Sequence, residues 1–306
     1  MMSDIFVTFA IELKTILIMR KISIFLFLLA FILPVISQVK YSPAWFGPNA
    51  NPVPEFTDGL IPAKTTVSLM GDYYFGFGDE TKNSYFKIEI PLLLERVSVK
   101  IWISVFEHYQ VTDELSALRG MEGTSGNASG DFYVQTRISL LKEKKNAPAI
   151  ILNSTLKTAS GTNFIEKRYF DTSGYYFDVE AGKSFYTKNK FINEIRAVGN
   201  LGFFSWETSD SRQNDAPMYG VKLIVGNKTW KLDNTLSGYW GWIHTSKFIN
   251  MPDYGDTPLV YATKFSIKKG KINYFAQYQY GITDFPYHQL RLGISFPIEK
   301  LTPKFK

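Results

Sequence analysis

Lys271–Ile298 reads KINYFAQYQYGITDFPYHQLRLGISFPI, and its period decides the fold. Ile272, Tyr274, Ala276, Tyr278, Tyr280 and Ile282 fall on one face, with Asn273, Phe275, Gln277, Gln279 and Gly281 on the other. After Thr283-Asp284-Phe285-Pro286 the alternation resumes: Leu290, Leu292, Ile294, Phe296 and Ile298 oppose Gln289, Arg291, Gly293 and Ser295. A period of two is the mark of extended chain, in which successive side chains leave opposite faces. Each run is about ten residues long, enough for a tilted strand to cross a bilayer.

The same pattern recurs upstream. It predicts strands over 65–77, 86–94, 97–106, 132–140, 150–157, 175–182, 194–203, 219–226, 230–242 and 259–267. With the last two, the chain has about twelve strands, an even number. The connections add a second signal. Those after the third, fifth, seventh and ninth strands are long. Glu95-Arg96, Lys142–Asn146, Thr187–Lys190, Gly226–Lys228 and Lys268–Lys271 are short. The first and last long-side connections, Gly78–Asn83 and Thr283–Pro286, are short exceptions. Transmembrane barrels alternate in this way, with long loops outside and tight turns at the periplasm.

Aromatic residues make up 16% of the chain and gather near strand ends. Phe75, Phe77, Trp240, Trp242 and Tyr280 fall toward one end, and Trp230, Tyr274 and Phe296 toward the other, as two interfacial girdles would. A soluble sandwich or lipocalin-like barrel would also alternate. It would bury the apolar faces and wet the charged ones, and it offers no reason for the parity of the connections. The reading is therefore all-β: a closed antiparallel up-and-down transmembrane barrel over residues 65–298.

Two segments precede the barrel. Residues 1–37 have Arg20-Lys21 before the apolar run Ile22–Leu33 and end Pro34-Val35-Ile36-Ser37, the pattern of a secretory signal peptide, with Met19 a possible true start. An uncleaved anchor helix is the rival reading. Residues 38–64 carry Pro43, Pro48, Pro52, Pro54 and Pro62, which keep them out of helix and central strand. They are expected to form an irregular periplasmic leader, or else a plug in the barrel. Residues 299–306 form a short periplasmic tail.

Signal peptide, alternating strands and loop parity make the chain resemble Gram-negative outer-membrane β-barrel proteins as an architectural class. The resemblance implies residence in the bacterial outer membrane, contact with its lipid and lipopolysaccharide, and dependence on the barrel assembly machinery. One departure stands at the C-terminus. Such barrels commonly end on an aromatic residue, whereas Phe305 is next to last here.

Function is to be sought inside. Charge on a lipid face costs about 2–4 kcal/mol for Lys or Arg at mid-depth, so charged strand residues should face the lumen. Strand parity assigns to it Asp72, Lys87, Glu89, Lys100, Arg137, Lys157, Asp178, Glu180, Glu194, Arg196, Lys222, Lys231, Asp233, Lys264 and Arg291. Cations outnumber carboxylates in this set, and the whole chain carries a formal net charge of +6. That points to a narrow channel for small polar or anionic solutes, or to an ion-pair network that only holds the wall.

Two other readings compete. The chain could be a non-conducting subunit whose loop 108–130 meets a membrane-protein partner. It could be a lipid hydrolase using Ser104 and His108, which share parity on the third strand but lie about 13 Å apart along it. The chain has no cysteine, three scattered histidines and no phosphate-binding or dinucleotide motif. No cofactor, metal or nucleic acid is therefore expected. Mass spectrometry of the mature N-terminus should find a first residue of Gln38, and a peptide reaching back across Ser37 refutes cleavage at that bond.

Overall fold

The computed structural model describes residues 42–303, apart from 94, 207–213, 242–250 and 252; for 214 and 215 it describes the backbone alone. The predicted signal peptide, Trp242 and Phe305 lie outside the described residues. Among the described residues thirteen strands follow in order: β1 Thr66–Phe75, β2 Asp79–Leu93, β3 Val97–Val111, β4 Ser125–Ala128, β5 Tyr133–Leu141, β6 Ala149–Lys157 and β7 Gly174–Tyr186. After these come β8 Glu194–Trp206, β9 Asn214–Gly226, β10 Trp230–Tyr239, β11 Leu259–Lys269, β12 Ile272–Thr283 and β13 His288–Pro297.

Every neighbouring pair is antiparallel, and β1 meets β13 from Thr66–Pro297 to Phe75–His288. That seam closes twelve strands into a barrel, leaving β4 as a short addition beside β3. Closure gives each of the twelve barrel strands a partner on both sides, the condition for strands to cross a membrane.

The sidedness is inverted relative to a soluble protein. Leu292 is 68% exposed and Leu201 71%, while Arg291 is 4% and Arg196 1% exposed. Leu69, Leu223, Tyr261, Phe265, Tyr274 and Tyr280 are likewise exposed on the outside. The short connections gather at one end, the turn end, and the longer ones at the opposite loop end.

Three departures from the sequence reading have local causes. The turn expected over Gly78–Asn83 is tighter. Gly76, Phe77 and Gly78 all have positive φ, and Asp79 N–H bonds to Gly76 O, so β2 already begins at Asp79. Phe77 leaves the expected girdle, turning inward onto Tyr254 with ring centroids 4.9 Å apart. On β3 the pairing slips between Ser84–Phe106 and Tyr85–Ser104, which makes Val105 an extra residue. Both Val105 and Phe106 then face outward, and parity reverses beyond them. Phe106, which unbroken alternation with Trp102 and Ser104 would put inside, points outward, while Glu107 is wholly buried.

The loop expected over 108–130 is built rather than irregular. β3 continues to Val111, and helix α1 spans Asp113–Arg119. Thr112 caps α1 by accepting from Leu115 N–H, and Gly120 ends it in the left-handed region. A Leu292→Arg substitution should cost about 2–4 kcal/mol, because it puts a guanidinium against acyl chains. Denaturant titration of protein folded into vesicles measures this, and a cost near zero contradicts the outward assignment.

Candidate functional site

Residues 42–64 lie inside the barrel. Ser42 Oγ donates to Gly255 O at the loop end (2.7 Å), whereas Thr65 joins β1 at the turn end. The segment therefore runs the height of the lumen. Beyond one 3-10 turn over Pro43–Trp45, five prolines deny it regular structure, so its main-chain groups must find partners on the wall.

The wall supplies them at three levels. At the turn end of the segment, Glu180 accepts from Thr57 N (2.8 Å), Thr57 Oγ1 (2.6 Å) and Gly59 N (3.1 Å). Arg137 bridges Glu89 at 2.6 Å and Glu180 at 3.3 Å, and also donates to Leu60 O. Arg196 Nε donates to Asp58 O at 2.6 Å and its Nη1 meets Glu143 at 2.5 Å. Lys222 donates to Phe56 O and sits over the Phe56 ring. Gly220 and Gly182 face the same residues, where a Cβ would strike the Phe56 ring or approach Asp58 O to 3.0 Å.

At mid-height Arg291 forks onto Asp72 with Nε at 2.6 Å and Nη2 at 2.7 Å, and its Nη1 reaches Glu55 at 2.6 Å. Lys87 approaches Glu55 at 3.6 Å. At the loop end, four fully buried charges interlock. Arg168 pairs with Asp79 and Glu107, each at 2.8 Å, and Arg119 pairs with Asp79 at 2.8 Å. Arg119 also donates to the carbonyls of Ala44 and Phe46, and Asn49 donates to Glu107 at 2.6 Å. Burial opposes the Arg168 charge, but Glu107 and Asp79 outweigh it and push its proton affinity above the ordinary arginine range.

Around this network an apolar cluster fills the lumen. Phe46, Phe170, Trp206, Tyr239, Met251, Phe285 and Tyr287 belong to it, with Phe46 and Phe170 4.4 Å apart edge to face. Below, at the turn end, a cavity of about 510 Å³ opens. Lys87, Lys100, Lys222, Lys228, Lys231, Lys264 and Lys268 line it, against Glu55, Asp58, Glu89 and Asp233.

Of the strand charges assigned to the lumen by parity, Asp72, Lys100, Arg137, Lys157, Asp178, Glu180, Arg196, Asp233 and Arg291 are buried, and Lys87, Glu89, Lys222, Lys231 and Lys264 line the cavity. Lys157 pairs with Asp131, Lys231 with Glu194 and Lys264 with Asp233. Asp178 takes Asn153 and Asn200 as donors at 2.7 and 2.6 Å, and Lys100 lies 4.9 Å from the Trp102 ring centre. Asp79, Glu107, Arg119, Asp131, Glu143 and Arg168 join this network without having been assigned to it. Most sit in stretches read as turn or loop. Glu107 was hidden by the bulge, for which the adjacent apolar pair Val105-Phe106 is the visible sign.

Ser104 and His108 are not brought together. The bulge leaves Ser104 buried inside and His108 outside, where Nδ1 lies 2.9 Å from Asn127 Oδ1. Among the described residues no group of His, Asp and Glu could hold a metal ion.

No protein-family model and no curated protein sequence matches the chain. Solved structures do. An outer membrane channel from Pseudomonas putida F1 aligns with TM-score 0.53 and 12% identity, over 80% of this chain and 100% of that one. The KdgM porin gives 0.44 and 8%, over 76% and 99%. The translocator domain of the autotransporter NalP from Neisseria meningitidis gives 0.45 and 11%, over 79% and 91%. At such identities the likeness is one of fold. This chain and the P. putida channel share the fold of a closed antiparallel β-barrel.

Arg137→Met should lower stability by about 3–5 kcal/mol, since it leaves Glu180 buried without its cation. Lys142→Ala, which breaks only the exposed Lys142–Glu95 pair, should leave the unfolding midpoint where it was. Equal midpoints for both variants contradict a structural role for the inner network.

Proposed function

We propose that this chain is an outer-membrane channel, held closed in the present state by its own residues 42–64, and that it passes small anionic solutes. The turn end then faces the periplasm and the loop end the outside. The P. putida barrel of the same fold is an outer membrane channel, which supports transport as the general role. The preference for anions is carried by one observation, the excess of lysines over carboxylates around the 510 Å³ cavity. A cavity lined by one sign of charge raises the local concentration of the opposite ion.

The apolar cluster and the Arg119–Asp79–Arg168–Glu107 network close the lumen at the loop end, so conduction requires the segment to move. The same closed loop end, with the folded connection over 112–132, favours a second reading: a non-conducting subunit that presents α1 and β4 to a membrane partner. Lipid hydrolysis lacks the pairing of Ser104 with His108 that it would use.

Planar-bilayer recording tests the channel. The full chain should show rare openings whose reversal potential in a salt gradient favours anions. Reversing the rim charges, as Lys228→Glu, Lys231→Glu and Lys268→Glu together, should shift that potential toward cations. Absence of openings from folded protein favours the subunit reading. Openings with an unmoved reversal potential dismiss the lysines as the selective element.

A further inference from the structure

We infer that Arg291 and Lys87 form a carboxylate-binding site that Glu55 fills in this state, and that a small carboxylate solute takes the place of Glu55 as the segment is released. The site deepens the channel reading and rests on it for its natural ligand.

The wall side is preorganised. Arg291 spends Nε and Nη2 on Asp72, at 2.6 and 2.7 Å, which fixes the plane of the guanidinium. Gln289 holds the same Asp72 at 3.0 Å, and the Tyr85 ring lies 5.1 Å from the guanidinium carbon. Nη1 is thereby aimed at whatever carboxylate comes to it. Glu55 occupies that position, with Oε1 at 2.6 Å from Nη1 and Oε2 at 3.6 Å from Lys87 Nζ. Arginine's planar fork beside a mobile ammonium is a usual way of receiving a carboxylate.

The occupant differs from its hosts in two respects. It belongs to the lumen segment and not to the wall, and its side chain is 51% exposed while Arg291 is 5%. It lines the cavity together with Lys87, and Arg291 lies behind it, so a solute that takes its place meets both cations. Pro52 and Pro54 flank the site without an N–H to donate, so Glu55's side chain bears much of the local attachment.

If Glu55 withdraws alone, Arg291 Nη1 and Lys87 lose their counter-charge in a confined space. If an arriving carboxylate replaces it, they do not. Binding of the anion and release of the segment are therefore coupled, each favouring the other. Lys222 and Lys264 line the same cavity, so a second carboxylate on the solute also finds cations.

The test uses full-length protein folded in detergent, with succinate as the probe and chloride at equal ionic strength as the control. A tethered competitor acts at an effective concentration on the order of millimolar. Removing it by Glu55→Gln should tighten succinate binding about tenfold in calorimetry. Adding Lys87→Gln to that variant should weaken binding again. Equal affinity in wild type and Glu55→Gln, or no binding to either, overturns the site.

A second measurement needs no change at Glu55. The chain has no cysteine, so Val53→Cys, now buried, gives a single thiol on the segment. Its reaction with a maleimide should quicken saturably with succinate; a rate indifferent to succinate overturns the coupling. Conductance without succinate binding leaves the channel standing and removes the site. Succinate binding to a protein that never conducts does the reverse.

Discussion

The pairing of β1 with β13 is the constraint on which the other features depend. Strands in hydrocarbon cannot leave main-chain groups unmet, so a sheet that crosses a membrane must close on itself. Closure creates an inside, and lipid outside forces the polar side chains into it. The inner wall is therefore crowded with arginines, lysines and carboxylates that burial alone would make unfavourable. They persist because nearly all of them reach an opposite charge, an amide or a carbonyl.

The segment 42–64 completes that accounting. Arg137, Arg196, Lys222 and Arg119 each donate to a main-chain carbonyl of this segment. Proline-rich chain has carbonyls to offer and few regular structures in which to use them. An irregular strand inside a charged tube thus satisfies both parties. The lysine-rich cavity lies beside the segment at residues 53–58, with Lys222 on its wall.

The barrel was legible in the sequence because a period of two survives single exceptions. Leu290–Arg291–Leu292 declares both faces in three residues, and no rearrangement of loops changes that. The inner charges on regular strands, from Asp72 to Arg291, were legible for the same reason. What escaped was set by events with no period. A single extra residue at Val105 reversed the sense of the rest of β3, taking Glu107 in and His108 out. Arg119 and Arg168 lie in connections, where only tertiary packing decides which way a side chain turns. The sequence left 42–64 open between a periplasmic leader and a plug, because prolines say what a segment cannot form, not where it goes.

At the turn end Lys64 and Lys271 both reach Glu299, while Thr65 N–H and Oγ1 bond to Thr302 and Leu301. The hydrogen bonds of the two lysines hold the Glu299 carboxyl below its ordinary proton affinity. Mechanically this is a moored rope: one end is made fast beside the rim, and the rest is laid up the bore. Any displacement of the segment therefore pivots about that fixed end.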